Sequence, residues 1–154
     1  IHCYSFDPML KRWEKTKPAG VDFKRVPAVF SEDWSLLAQI FYAAETLGVG
    51  DKMHEPLFES IHIDSLDLRN EQVVANLFAL HAQVSKEEFG KAYSAFSVKS
   101  KVSQASAKGR AYGITGVPTM VVNGKYRVDG KMAGSNEEML RVVDFLVAKE
   151  KAAL

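Results

Sequence analysis

Gly116-Val117-Pro118-Thr119-Met120-Val121-Val122-Asn123-Gly124-Lys125-Tyr126-Arg127-Val128 sets two strand-like runs around an Asn-Gly pair, with a proline directly before the first run. Asn123-Gly124 supplies the positive φ angles of a type I′ turn, while β-branched Val121, Val122 and Val128 and the aromatic Tyr126 suit a half-buried pleated surface. The segment is therefore predicted to be a β-hairpin that sets the register of its sheet. Pro118 has no N–H to give to a ladder, so it belongs at the strand's first residue, where a sharp entrance suits a cis X-Pro bond.

Downstream, Ser135-Asn136-Glu137-Glu138 has the capping-box pattern, and Leu140, Val143, Leu146 and Val147 give the following helix its inner stripe. Upstream, the pattern is helical almost throughout from Asp33 to Tyr112. Trp34, Leu37, Phe41 and Ala44, flanked by Leu36, Ile40 and Leu47, form one wide apolar face that ends at Gly48. Lys52 to His62 makes a second helix, and Val73, Val74, Leu77, Phe78 and Leu80 mark a third. Ser85-Lys86-Glu87-Glu88 caps a fourth, with Phe89, Ala92, Tyr93 and Phe96 at helical spacing; Val98, Val102, Ala105, Gly109 and Tyr112 share a face of a fifth, closed by Gly113. Pro18-Ala19-Gly20 is a turn, and Val21 to Val26 reads as a short strand stopped by Pro27. At the start of the chain, Cys3, Phe6, Leu10 and Trp13 recur at i, i+3, i+7 and i+10. That stripe turns Cys3 toward the core of a helix running to about Thr16, leaves His2 nearer solvent, and places Pro8 where it should kink the helix.

A length of 154 residues, 47% hydrophobic and 25% charged, suits a chain with an ordinary globular core. The formal charge of +1, with basic and acidic residues interleaved, gives no footprint for nucleic acid or an anionic membrane. No apolar run approaches the roughly 18 residues of a transmembrane helix. His54, His62 and His81 are not spaced as a compact metal set and read as surface or core histidines, so neither a metal nor a cofactor is expected. One cysteine excludes an internal disulfide framework and, taken alone, reads as a small buried hydrophobe.

Both ends of the chain alter that last reading. Ile114-Thr115-Gly116-Val117-Pro118-Thr119, followed by a hairpin and a C-terminal helix, resembles the second half of a thioredoxin-type domain, in which a cis-proline loop faces the start of a Cys-x-x-Cys helix. Ile1-His2-Cys3-Tyr4-Ser5-Phe6-Asp7-Pro8 is similar to the active-site helix of the DsbA family, Cys-Pro-His-Cys-Tyr followed by an aromatic and an acidic residue. Cys3 matches the second cysteine and His2 the residue before it, while Ile1 stands where proline is commonest. By this resemblance the first cysteine, and the strand leading into the helix, precede Ile1.

The resemblance implies an α/β fold: a thioredoxin-like domain formed by 1–32 and 97–154 with an inserted all-helical subdomain at 33–96. It implies a thiol:disulfide oxidoreductase, located in the periplasm, that donates disulfides to reduced secreted polypeptides and is reoxidised by a DsbB-like membrane oxidase. Cys3 would close the enzyme's own disulfide, and His2 would stabilise the thiolate of the first cysteine. Pro118 would lie against His2 and Cys3. Asp7, one turn after Cys3, would be either a proton relay or a hydrated helix carboxylate. Val117 would offer its backbone to an extended client, and Met132 would either floor a peptide groove or serve ordinary packing. Two other readings stand beside this one: a glutathione-using relative such as the kappa-class transferases or chromene-carboxylate isomerases, and a peptide-binding module on the same fold without redox chemistry.

Overall fold

A computed structural model describes residues 1–154, which divide into two compact units: Ile1–Arg25 with Arg110–Leu154, and Val26–Gly109. In the first unit, α1 (His2–Thr16) turns Phe6, Leu10 and Trp13 inward on the expected stripe, and Pro8 lies inside the helix on its solvent side without ending it. The strands β1 (Thr119–Val122) and β2 (Tyr126–Asp129) pair antiparallel, with Thr119 opposite Asp129 and Val122 opposite Tyr126.

The turn between them departs from the two-residue loop that Asn-Gly alone predicts. Asn123 and Gly124 take φ +51° and +66°, and the Lys125 N–H donates to the Val122 carbonyl at 3.0 Å. Pairing resumes only at Tyr126, so Lys125 is an extra loop residue. Lys125 points instead to the C-terminal helix, where Glu150 accepts from its Nζ at 2.8 Å and from Asn123 Nδ2 at 2.7 Å.

A four-residue helical turn and a long helix complete this unit, numbered α7 (Gly130–Ala133) and α8 (Asn136–Ala152) in chain order. The inner stripe of α8, Met139, Leu140, Val143, Leu146 and Val147, packs in one core with Phe6, Leu10, Trp13, Val122 and Val128. Trp13 also donates its indole N–H to Asp144 at 2.9 Å, a polar tie between α1 and α8.

The strand expected at Val21–Val26 does not form. A strand exists through its ladder, and β1 and β2 are the only two strands and pair with each other. The segment keeps the period-2 alternation nonetheless: Val21 and Phe23 pack on the core, Phe23 edge-on to Trp13 with ring centroids 5.4 Å apart, while Asp22 and Lys24 face solvent.

The second unit contains α2 (Glu32–Thr46), α3 (Gly50–His62), α4 (Glu71–Ala82), α5 (Lys86–Ser94) and most of α6 (Phe96–Ala111). Its core gathers Ile40, Ala43, Ala44, Met53, Val74, Phe78 and Phe89, with Phe78 and Phe89 in ring contact at 4.7 Å. The buried face of α2 is Ala38, Ile40, Ala43 and Ala44, rotated from the predicted Trp34–Leu37–Phe41 stripe. Small side chains let α2 approach its neighbours closely, and Trp34, 37% exposed, packs across the N-cap on Phe30 in a tilted ring contact at 5.0 Å. Leu80, read as part of the α4 stripe, is 71% exposed.

Candidate functional site

The first turn of α1 carries Cys3 and His2. Ile1 caps this helix without a side-chain hydrogen bond, no acidic residue occupies the first turn, and the leading N–H groups therefore present an uncompensated positive end. His2 is exposed and Cys3 half-buried, consistent with their places off and on the apolar stripe. Burial is the main influence on the Cys3 thiol and pushes its pKa up from the ordinary 9.0. Of the side chains nearby, the Asp7 carboxylate adds to that shift and the Arg25 guanidinium opposes it.

Asp7 is not a hydrated helix carboxylate: it is only 6% exposed, one turn beneath Cys3. Two cations hold it. Arg25 Nη1 lies 3.0 Å from Oδ1 and Lys11 Nζ 3.2 Å from Oδ2, so the buried charge is compensated on both oxygens. Arg25 in turn reaches Glu14 Oε2 at 3.6 Å and lies over the Phe23 ring, 5.6 Å from its centroid. Lys11 is legible in the sequence as an i,i+4 partner of Asp7. Arg25 is not legible in the same way, because it arrives from an extended segment with no ladder to announce it; only the alternation of Phe23 inward and Lys24 outward points to that side of the chain.

The Val117–Pro118 peptide is cis, as the strand entrance suggested. Both residues are half-buried, and Thr119 Oγ1 donates to the Gly116 carbonyl at 2.6 Å, folding the loop on itself just before β1. At the other end of the loop, Arg127 Nη1 donates to the carbonyls of Tyr112 at 3.1 Å and Gly113 at 2.5 Å. Met132, on α7, is 63% exposed and borders an open depression of about 390 Å³ together with Tyr126, Val128, Val142 and Leu146. His54 and His62 flank Phe58 on α3, with centroid distances of 5.0 and 6.0 Å.

A family model described as a DSBA-like thioredoxin domain matches residues 2–141. The thiol:disulfide interchange protein DsbA of Azotobacter vinelandii is 42% identical over 152 residues, covering 99% of this chain and 71% of that protein. The crystal structure of Pseudomonas aeruginosa DsbA aligns with a TM-score of 0.92 at 41% identity, over 99% of this chain and 79% of that one. A more distant neighbour, Proteus mirabilis DsbA in complex with a non-covalently bound peptide, aligns with a TM-score of 0.77 at 25% identity, over 96% of this chain and 81% of that one. With its helix-start cysteine, its cis-proline hairpin and a sequence match over nearly its whole length, this chain belongs to the DsbA-like thioredoxin domain family, whose fold is a thioredoxin-like domain with a helical insertion.

Proposed function

We propose that this chain is a thiol:disulfide oxidoreductase of the periplasm that passes disulfide bonds to reduced secreted polypeptides, with Cys3 as the inner sulfur of a Cys-x-x-Cys pair. The observation that carries the reading is Cys3 itself: a half-buried thiol in the first turn of α1, above a buried carboxylate, in a chain of this family. Cys3 is the one cysteine of these 154 residues.

In the oxidised protein a client thiolate attacks the outer sulfur, the S–S bond breaks, and Cys3 leaves as a thiolate that takes up a proton. Burial favours that protonated form, so Cys3 does not compete as a nucleophile while the mixed disulfide stands. A second client thiolate then attacks the client's own sulfur in the mixed disulfide. The client disulfide closes, the outer cysteine leaves as a thiolate, and two electrons have passed from client to enzyme. The positive end of α1 and the exposed His2 stabilise that outer thiolate, which makes it a good leaving group. Asp7, one turn below, takes the proton from Cys3 when the pair is reoxidised by a DsbB-like membrane oxidase. Pro118 faces His2 and Cys3, Val117 offers its backbone to the client strand, and Met132 borders the client groove.

The helical insertion carried by this thioredoxin-like domain is proposed to be 33–96, supported by a core whose buried members run from Ile40 to Ala92. The test of the redox reading is Cys3→Ser in the native protein. The variant has no disulfide to pass on and is expected to release almost no oxidised product from a reduced dithiol peptide; release at the wild-type rate overturns the role given to Cys3.

A further inference from the structure

The loop carrying the cis Val117–Pro118 bond is tied at both ends by side chains that the exchange chemistry does not use. At its entrance α6 stops at Ala111, and the last carbonyls of a helix have no intrahelical partner and carry the negative end of the macrodipole. Arg127 Nη1 satisfies two carbonyls there, of Tyr112 and Gly113. Gly113 takes φ +65°, and a Cβ on it would stand 2.5 Å from the same Nη1, so a side chain there would push the guanidinium aside. At the loop's exit, the Thr119 hydroxyl holds the Gly116 carbonyl at 2.6 Å. Gly116 has open space where a Cβ would be, and that hydroxyl bond restrains the Gly116–Val117 peptide plane.

One hairpin supplies both ties. Thr119 is the first residue of β1, and Arg127, on β2, is registered opposite Val121, two residues further along. Between the ties lies Val117, which precedes the ladder and has neither its N–H nor its carbonyl paired within the chain. A half-buried residue with both backbone groups unpaired presents a short strand edge to an extended peptide.

We propose that Arg127 and Thr119 are positioning residues for the polypeptide substrate: together they fix the Gly116–Val117 peptide plane so that Val117 can pair with an extended client. The proposal rests on the client site described above. It predicts an effect on peptides and none on small thiols, because a small dithiol needs no strand edge.

The experiment compares Arg127→Met, Arg127→Lys, Thr119→Val and Thr119→Ser in the native protein. Three quantities are measured: oxidation of a reduced dithiol peptide and oxidation of dithiothreitol, each with oxidised glutathione as the oxidant that restores the enzyme disulfide, and binding of a labelled cysteine-free peptide by fluorescence anisotropy. For R127M and T119V the peptide KM is expected to rise about tenfold, the worth of roughly one hydrogen bond. The peptide kcat and the dithiothreitol rate should hold, and R127K and T119S should recover most of the loss. Parallel loss of peptide and dithiothreitol oxidation marks a merely structural role and overturns the proposal, as does a KM that does not move. If the wild type oxidises neither thiol, the redox reading fails by itself, and anisotropy still decides: weaker peptide binding by R127M and T119V upholds the tie, and unchanged binding refutes it.

Discussion

Replacing Arg25 with methionine removes one of two cations from a carboxylate that is almost fully buried, while keeping a long side chain over Phe23. At 3.0 Å and an effective dielectric of 20, the Coulomb attraction in this pair is about 5.5 kcal/mol. Most of that is offset by desolvation, and Arg25 is itself 28% exposed, so the figure for a charge-assisted hydrogen bond, about 1.5 to 3 kcal/mol, is the better guide. Arg25→Met is therefore expected to lower the melting temperature by roughly 5 to 10 °C in a chain of this size. Asp7→Asn should cost less, about 1 kcal/mol. It removes the buried charge, whereas the two cations it orphans are both more exposed than Asp7 and can hydrate. The two variants must also move Cys3 in opposite directions. Asp7 raises the thiol pKa and Arg25 lowers it, so the pH profile of Cys3 alkylation should shift to lower pH in Asp7→Asn and to higher pH in Arg25→Met. Circular-dichroism melts and iodoacetamide kinetics on the reduced protein read both effects. An Asp7→Asn melt lower than that of Arg25→Met, or alkylation profiles that shift the same way, would refute the assignment of Arg25 as the principal counter-charge beneath Cys3.

Because burial raises the folded Cys3 pKa above its ordinary value, the folded state holds that proton more tightly, and its contribution to stability is complete below about pH 9 and declines as pH climbs through the folded pKa. Reduced wild type should therefore lose stability relative to Cys3→Ala on alkaline titration, and parallel curves would count against it. In the second unit, Phe89 is fully buried against Phe78, so Phe89→Ala should cost about 3 to 5 kcal/mol in denaturant titration, and a loss under 1 kcal/mol would mean that this core collapses around the cavity.

The elements that could be placed from sequence are those whose cause lies within four residues. Ser85 and Glu88 form both bonds of the capping box, as their spacing said. Ser135 caps α8 through the Glu138 N–H, yet the Glu138 carboxylate turns away to Arg141 at 2.6 Å, because a charged partner one turn on competes for it. The same contest acts at larger scale in α2: spacing identified an apolar face, but which of several adjacent faces is buried depended on how closely its neighbours can approach, and the alanine face won over the tryptophan. The extra residue in the hairpin loop and the missing strand at Val21–Val26 follow the same logic, since register and pairing belong to two segments at once.

For the site, this difference in range matters more than any single misplacement. Cys3, His2, Asp7 and Lys11 stand on one helix, and their spacing alone brings them near each other. Whether Asp7 is a hydrated or a buried carboxylate, and therefore how strongly it acts on Cys3, depends on Arg25, eighteen positions along the chain and outside regular structure. Arg25 is held in place by the packing of Val21 and Phe23 on the α1–α8 core, with no backbone ladder to fix it. The electrostatics of the thiol thus depend on apolar contacts at Phe23 and Trp13, two side chains with no part in the exchange reaction. A substitution that loosens Phe23 from Trp13 acts on Cys3 through the guanidinium it carries away, although α1 itself is untouched.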